Sequence, residues 1–265
     1  MQACRPAFLR FTATLVLVAA ITGCASSARL GPPNPNDPWE EANRAIYSFN
    51  DALDRNIFVP IAEGYAYITP QPIRTCISNI FQNLGELWSF INSNLQGRHE
   101  DAINTMGRFM LNTTMGLGGC LDLASKNGAP RIPNDFGTTL GVWGVNSGPY
   151  IVLPLLGPST MRDGIGRGID LYVNQIGWGK GIEDIDLRNS LYGLEFVERR
   201  EGLLTITETV DQTAIDPYSF IRDAYLQRRK AQIRGTKGED EPLPNYEDLD
   251  ADSADKNTLN TPTPP

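Results

Sequence analysis

The run Asp37-Pro38-Trp39-Glu40-Glu41-Ala42-Asn43-Arg44-Ala45-Ile46-Tyr47-Ser48-Phe49-Asn50-Asp51-Ala52-Leu53 sets the class of this protein. An aspartate placed to cap, a proline whose missing N–H costs nothing in a first turn, and two glutamates at the positive end of the dipole predict a helix start. Trp39, Ala42, Ile46, Phe49, Leu53 and Ile57 then recur at spacings of three and four, which is one apolar stripe. Asp216-Pro217 repeats the start. Tyr218, Ile221 and Tyr225 follow it in register, with Arg228, Arg229 and Lys230 toward the C-terminal end, where cations are favoured. Residues 72–95, 99–115, 163–177 and 187–211 carry further helical stripes. The chain is therefore predicted to be mainly α. Each stripe reads as core packing, and some are wide enough to meet acyl chains as well.

One region breaks the pattern. From Gly116 to Gly168 the chain runs through Gly-Leu-Gly-Gly, Leu-Gly-Val-Trp-Gly-Val-Asn-Ser-Gly-Pro-Tyr and Leu-Pro-Leu-Leu-Gly-Pro. Gly and Pro at this density forbid long helices. Val142, Val145, Tyr150, Val152 and Leu153 suit short extended pieces or an apolar hairpin. The segment is too apolar for an exposed loop, so it either threads the core or faces lipid.

The ends of the chain are of another kind. Residues 1–23 hold Arg5, Arg10, no acid and an apolar stretch from Phe11 to Ile21, the pattern of a signal peptide. Ile21-Thr22-Gly23-Cys24 resembles the bacterial lipobox, so Cys24 is expected to become the lipid-bearing amino terminus. The competing reading is an ordinary secreted protein with a stray cysteine. Ala25 and Ser26, with no aspartate after Cys24, resemble lipoproteins sorted to an outer membrane of a Gram-negative cell. Residues 24–36 read as a tether, 37–233 as the folded body, and 234–265 as an acidic disordered tail holding three basic residues against eight acids.

Composition excludes several functions. The 265 residues carry a net charge of -8, which argues against nucleic-acid binding, and a single histidine, His99, which removes multi-histidine metal sites. No catalytic or phosphate-loop motif is present, and no cofactor or metal is expected. The Gly164-Ile165-Gly166-Arg167-Gly168 run lacks dinucleotide-loop spacing. His99, followed by Glu100 and Asp101, reads as a polar helix start in preference to a catalytic base. Cys76 and Cys120 are the two thiols left in the mature chain, and in an oxidising compartment they can pair; either could equally stay a buried thiol.

Read in order, these segments resemble the MlaA (VacJ) family of outer-membrane lipoproteins. The matching residues are Asp37 to Glu40 leading into Asn43 to Asn50, Pro70 to Arg74 with Ser78-Asn79, Asn94 to Gly97, and Arg108-Phe109. They continue through Asn112 to Gly119, Asp122, Asp135 to Gly141, Gly148 to Tyr150, Leu153-Pro154, Arg162-Asp163, and Asp216 to Tyr218 through Arg222 to Arg229. The resemblance implies a helical, ring-like body lying in one membrane leaflet, and a conduit in place of an enzyme. Such a protein moves mislocalised outer-leaflet phospholipid inward, associates with trimeric porins and hands lipid to a periplasmic carrier. It also implies that Gly141 and Gly144, which on the residues alone read as a static turn, are hinges beside the channel. The readings that compete with a conduit are a structural envelope tether and a lipid hydrolase.

Overall fold

A computed structural model describes residues 34–181 and 183–235, without the side chains of 174–181. The signal segment, Cys24 and nearly all of the tether and acidic tail lie outside the described residues. The protein is mainly helical. Helix α1 (Glu40–Leu53) runs through a π-helical turn (Asp54–Phe58) into α2 (Val59–Ile68). Long helices α3 (Gln71–Leu95) and α4 (His99–Thr114) follow, then the short α5 (Leu123–Lys126) and α6 (Phe136–Val142). A hairpin of β1 (Tyr150–Leu153) and β2 (Gly157–Thr160) leads directly into α7 (Met161–Gly181). The described chain closes with α8 (Ile185–Glu201), α9 (Leu204–Thr213) and α10 (Pro217–Arg234).

Several expectations need correction. Asp37 does not cap α1: its carboxylate accepts from Asn43 Nδ2 at 2.8 Å and from Tyr218 Oη at 2.6 Å, and Trp39 occupies the N-cap position. The single stripe over 187–211 breaks at Gly202 into α8 and α9. Val142 is helical and Val145 lies beyond α6, so the extended pieces are limited to 150–153 and 157–160. Asp135 caps α6 through a reciprocal pair of hydrogen bonds with Thr138, which lets a helix form in Gly/Pro-rich sequence.

Packing closes a circuit. Helix α1 continues through the π turn into α2, which packs on α8; α8 packs on α3, α3 on α6, α6 on α10 and α10 on β2. Strand β2 pairs with β1 in antiparallel register, Tyr150 opposite Thr160, and β1 returns to α1. Tyr150, Val152 and Tyr218 form a small apolar cluster where the circuit closes, flanked by Ile46, Tyr47, Tyr225 and Leu226.

Candidate functional site

Each apolar stripe is half-buried along part of its length and leaves several large side chains outside, while polar side chains beside it are buried. On α1 and the π turn, Trp39, Phe49 and Ile57 are exposed, whereas Glu40 and Asn43 are buried. The buried face of α3 is Asn83, Glu86, Ser89, Asn92, Ser93 and Gln96, while Ile73, Ile91 and Leu95 are exposed. On α4 the buried residues are Asp101, Ala102, Thr105, Arg108 and Asn112, and Ile103 and Met110 point outward. Among the described residues, buried polar side chains far outnumber the buried hydrophobic ones. Large apolar side chains exposed in this number mark a membrane or protein interface. No helix among the described residues is long and apolar enough to cross a membrane.

A polar interior needs its groups paired, and four networks pair most of them here, although Asn83 Oδ1, Glu86 Oε2 and Gln96 Oε1 are buried without a hydrogen-bond partner. In the first, Arg229 of α10 donates from Nε and Nη2 to Asp163 (both 3.0 Å) and from Nη1 and Nη2 to Asp135 (2.6 and 3.0 Å). Arg162 and Tyr225 complete the shell of Asp163. In the second, Arg108 donates to Glu86 at 3.0 Å, to Ser125, to the Ala129 carbonyl and to Asp122, joining α3, α4 and α5. In the third, Asn92 accepts from Thr139, Gln96 donates to Thr139, and Asn134 donates to Ser93, which fastens α6 to α3.

The fourth network docks the hairpin. The free edge of β1 would leave backbone groups unpaired. The Asn36 carbonyl accepts from Tyr150 N at 2.8 Å, and the Asn43 amide donates to Tyr150 O and accepts from Val152 N (3.1 and 2.9 Å). One turn pair further along α1, Asn50 does the same to Leu153 O and Leu155 N (3.0 and 2.9 Å).

The electrostatics follow from these contacts. Burial is the largest single influence on Asp135 and Asp163 and opposes their ionisation, but the hydrogen bonds and charge of Arg229, with the Thr138 amide at Asp135 and Arg162 and Tyr225 at Asp163, together outweigh it and hold both below the ordinary carboxylate value. Burial likewise opposes Asp122, yet the Ser125 hydroxyl and amide, Asn112 and the Arg108 charge bring it to about 2. Asp216 also falls to about 2, through its bonds from Arg44. Asp170 moves the other way: burial outweighs its bonds from Trp88 Nε1 and Phe136 N.

Of the residues singled out by sequence, Cys24 lies outside the described residues. Cys76 of α3 and Cys120 of the glycine loop are joined as a disulfide, with Asn79 donating to the Cys120 carbonyl at 2.9 Å. Gly141 and Gly144 fall in different settings. Gly141 is inside α6, where an added Cβ would sit 2.6 Å from Ile233 and 2.9 Å from Arg162. Gly144 lies in the turn after α6 at φ +89°, with nothing in the path of a Cβ. His99 is exposed at the first residue of α4. The glycine run at 164–168 has a packing role: Gly166 of α7 crosses Gly137 of α6 so closely that a Cβ would lie 2.4 Å from backbone. Sequence reading did not single out the interior polar residues. The signal was present, because Asn83, Glu86, Ser89, Asn92 or Ser93, and Gln96 recur at helical spacing as regularly as the apolar stripe beside them.

The family model for the MlaA lipoprotein matches residues 35–232. The chain is 34% identical over 252 residues to the intermembrane phospholipid transport system lipoprotein MlaA of Escherichia coli K12, covering 93% of this chain and 98% of that protein. The Haemophilus influenzae protein of the same name is 35% identical over 227 residues, covering 84% and 90%. A solved structure, from work on the structural basis for maintenance of bacterial outer membrane lipid asymmetry, superposes with a TM-score of 0.62 at 33% identity. It covers 74% of this chain and 98% of its own.

Proposed function

Since this chain belongs to the MlaA lipoprotein family, we propose that it takes phospholipid out of the outer leaflet of the outer membrane and passes it inward, maintaining lipid asymmetry. The observation that carries this reading is an unusual partition of side chains: polar groups fill much of the buried space between elements that close into a circuit, and many large apolar side chains are exposed. A body of that kind is at home in hydrocarbon, where helices satisfy their own backbone groups. It lies in the inner leaflet, held by acyl chains on Cys24 at the periplasmic face.

The physical task is to move a double-tailed lipid without wetting its tails. Each exposed CH₂ costs about 0.8 kcal/mol, so two sixteen-carbon chains face a barrier on the order of 25 kcal/mol. Apolar surface that accompanies the tails, beside a polar lining that solvates the head group, lowers that barrier with no covalent step. In this reading the protein is a conduit and not an enzyme. A trimeric porin holds it in place, and a soluble periplasmic carrier of the same transport pathway receives the lipid. A hinge role, if the conduit has one, falls to Gly144, because Gly141 is occupied with packing.

Deleting the gene should raise outer-leaflet phospholipid, and the full-length chain should restore asymmetry, as should His99→Ala. Unchanged asymmetry in the deletion strain overturns the reading. Release of fatty acid from phospholipid by the purified lipoprotein would replace it with a hydrolase.

A further inference from the structure

The β1–β2 hairpin turns over through Pro154, Leu155 and Leu156. Leu155 is held at φ 64°, a left-handed conformation that selects glycine, asparagine or aspartate in most turns. The tip is nonetheless open: Leu155 is 59% exposed and Leu156 47%. From Leu153 to Thr160 there is no charged residue. A cation nevertheless stands at the base of the tip. Arg167 of α7, itself exposed, donates from Nη1 to the Leu156 carbonyl at 2.8 Å, which uses one of its five N–H groups.

Resting on the membrane placement above, we infer that the hairpin tip grips a phospholipid of the surrounding leaflet: Leu155 and Leu156 sit among its acyl chains, and Arg167 binds its phosphodiester. The two leucines offer far less area than the roughly 800 Å² per partner of a stable protein interface, which argues against a protein occupant. An apolar tip with a guanidinium at its root matches the order of tail and head group across a membrane interface. Asn50, which accepts from Leu155 N at 2.9 Å, fixes this left-handed turn from inside the protein, so the leucines are held outward at the tip.

The test uses the full lipidated chain, carrying p-benzoylphenylalanine at Leu155, in cells lacking the native copy and grown on ³²P-orthophosphate. Irradiation should put ³²P on the protein at the mass of one added phospholipid. Free phosphate has no C–H bond and is not captured. Arg167→Gln should lower the label at least threefold, with Arg167→Lys retaining part of it. A second probe at Leu156 serves if the first variant fails to accumulate. A protein-sized adduct, absence of irradiation-dependent label at both probes, or label indifferent to Arg167→Gln overturns the grip. If these strains still restore lipid asymmetry, the grip alone falls and the conduit stands.

Discussion

Arg229 meets Asp163 through two parallel hydrogen bonds of 3.0 Å, Nε to Oδ2 and Nη2 to Oδ1, and so ties α10 to the first turn of α7. The same guanidinium also holds Asp135, the cap of α6. Arg229→Met should leave buried carboxylates without their shared partner and cost about 3–5 kcal/mol. Arg229→Lys should rescue little, because one ammonium cannot serve two carboxylates in a planar fork. Unfolding of the detergent-solubilised protein and its abundance in cells measure both effects.

The Asn43 amide stands in for a neighbouring strand. Asn43→Ala should cost about 1–3 kcal/mol, since it leaves Tyr150 O and Val152 N unpaired in a buried place. Asn43→Asp should be worse, because it adds a second carboxylate beside Asp37. Faster amide exchange at Val152 is the local readout.

Acid should act through Asp122 and Asp216, whose folded-state values of about 2 lie below the ordinary 3.8. Above about pH 5 both are ionised whether the chain is folded or not, and their stabilisation is complete. As pH falls from about 5 to 2 the unfolded chain takes up protons first, and that stabilisation is lost. The stability difference between wild type and Asp216→Asn should therefore be largest near neutrality and shrink toward pH 2.

The Cys76–Cys120 bond spans 44 residues of sequence, a loop for which a disulfide contributes about 2–4 kcal/mol. Alkylation of the unfolded, unreduced mature chain should label neither cysteine. Cys120→Ala should lower the unfolding midpoint without moving the protein from the membrane. Two labelled thiols would remove the bond from the native protein.

Gly141 and Gly144 should separate. Gly141→Ala should cost about 1–3 kcal/mol and lower abundance, because Ile233 and Arg162 must shift. At Gly144 proline cannot adopt φ +89°. Proline also removes the Gly144 N–H bond to the Gly141 carbonyl, so a static turn predicts lowered abundance, whereas a hinge that leaves this conformation predicts normal abundance with raised outer-leaflet phospholipid. Normal asymmetry at normal abundance would end the hinge proposal.

What the sequence revealed depended on how local the signal was. Asp216-Pro217 sets the start of α10 and Pro72 the first turn of α3, because proline pre-organises a helix wherever it is placed. The carboxylates beside these starts were harder to read. Asp37 and Asp216 look like caps, yet Asp37 binds Asn43 and Tyr218 and Asp216 binds Arg44, partners distant in sequence or chosen by packing. The π turn at 54–58 carries no local mark, and Asp54 finds Arg200 only in three dimensions. Periodicity reported that α1, α3 and α4 are two-faced but not which face is inside. That choice belongs to the surroundings: water would bury Ile91 and Leu95, whereas hydrocarbon leaves them out and gathers Asn92, Ser93 and Gln96 within.

Heat capacity is where this polar interior has its broadest consequence. Unfolding an ordinary domain wets apolar groups and raises heat capacity by about 12–15 cal/mol/K per residue, while wetting polar groups lowers it. Here the groups released would be chiefly amides, hydroxyls and ion pairs such as Asn92, Thr139 and Arg108 with Glu86, and many of the large apolar side chains are outside already. The calorimetric step should therefore be small. Enthalpy and entropy of unfolding then change little with temperature, so the stability curve straightens, and the fold keeps gaining stability on cooling instead of turning over toward cold denaturation.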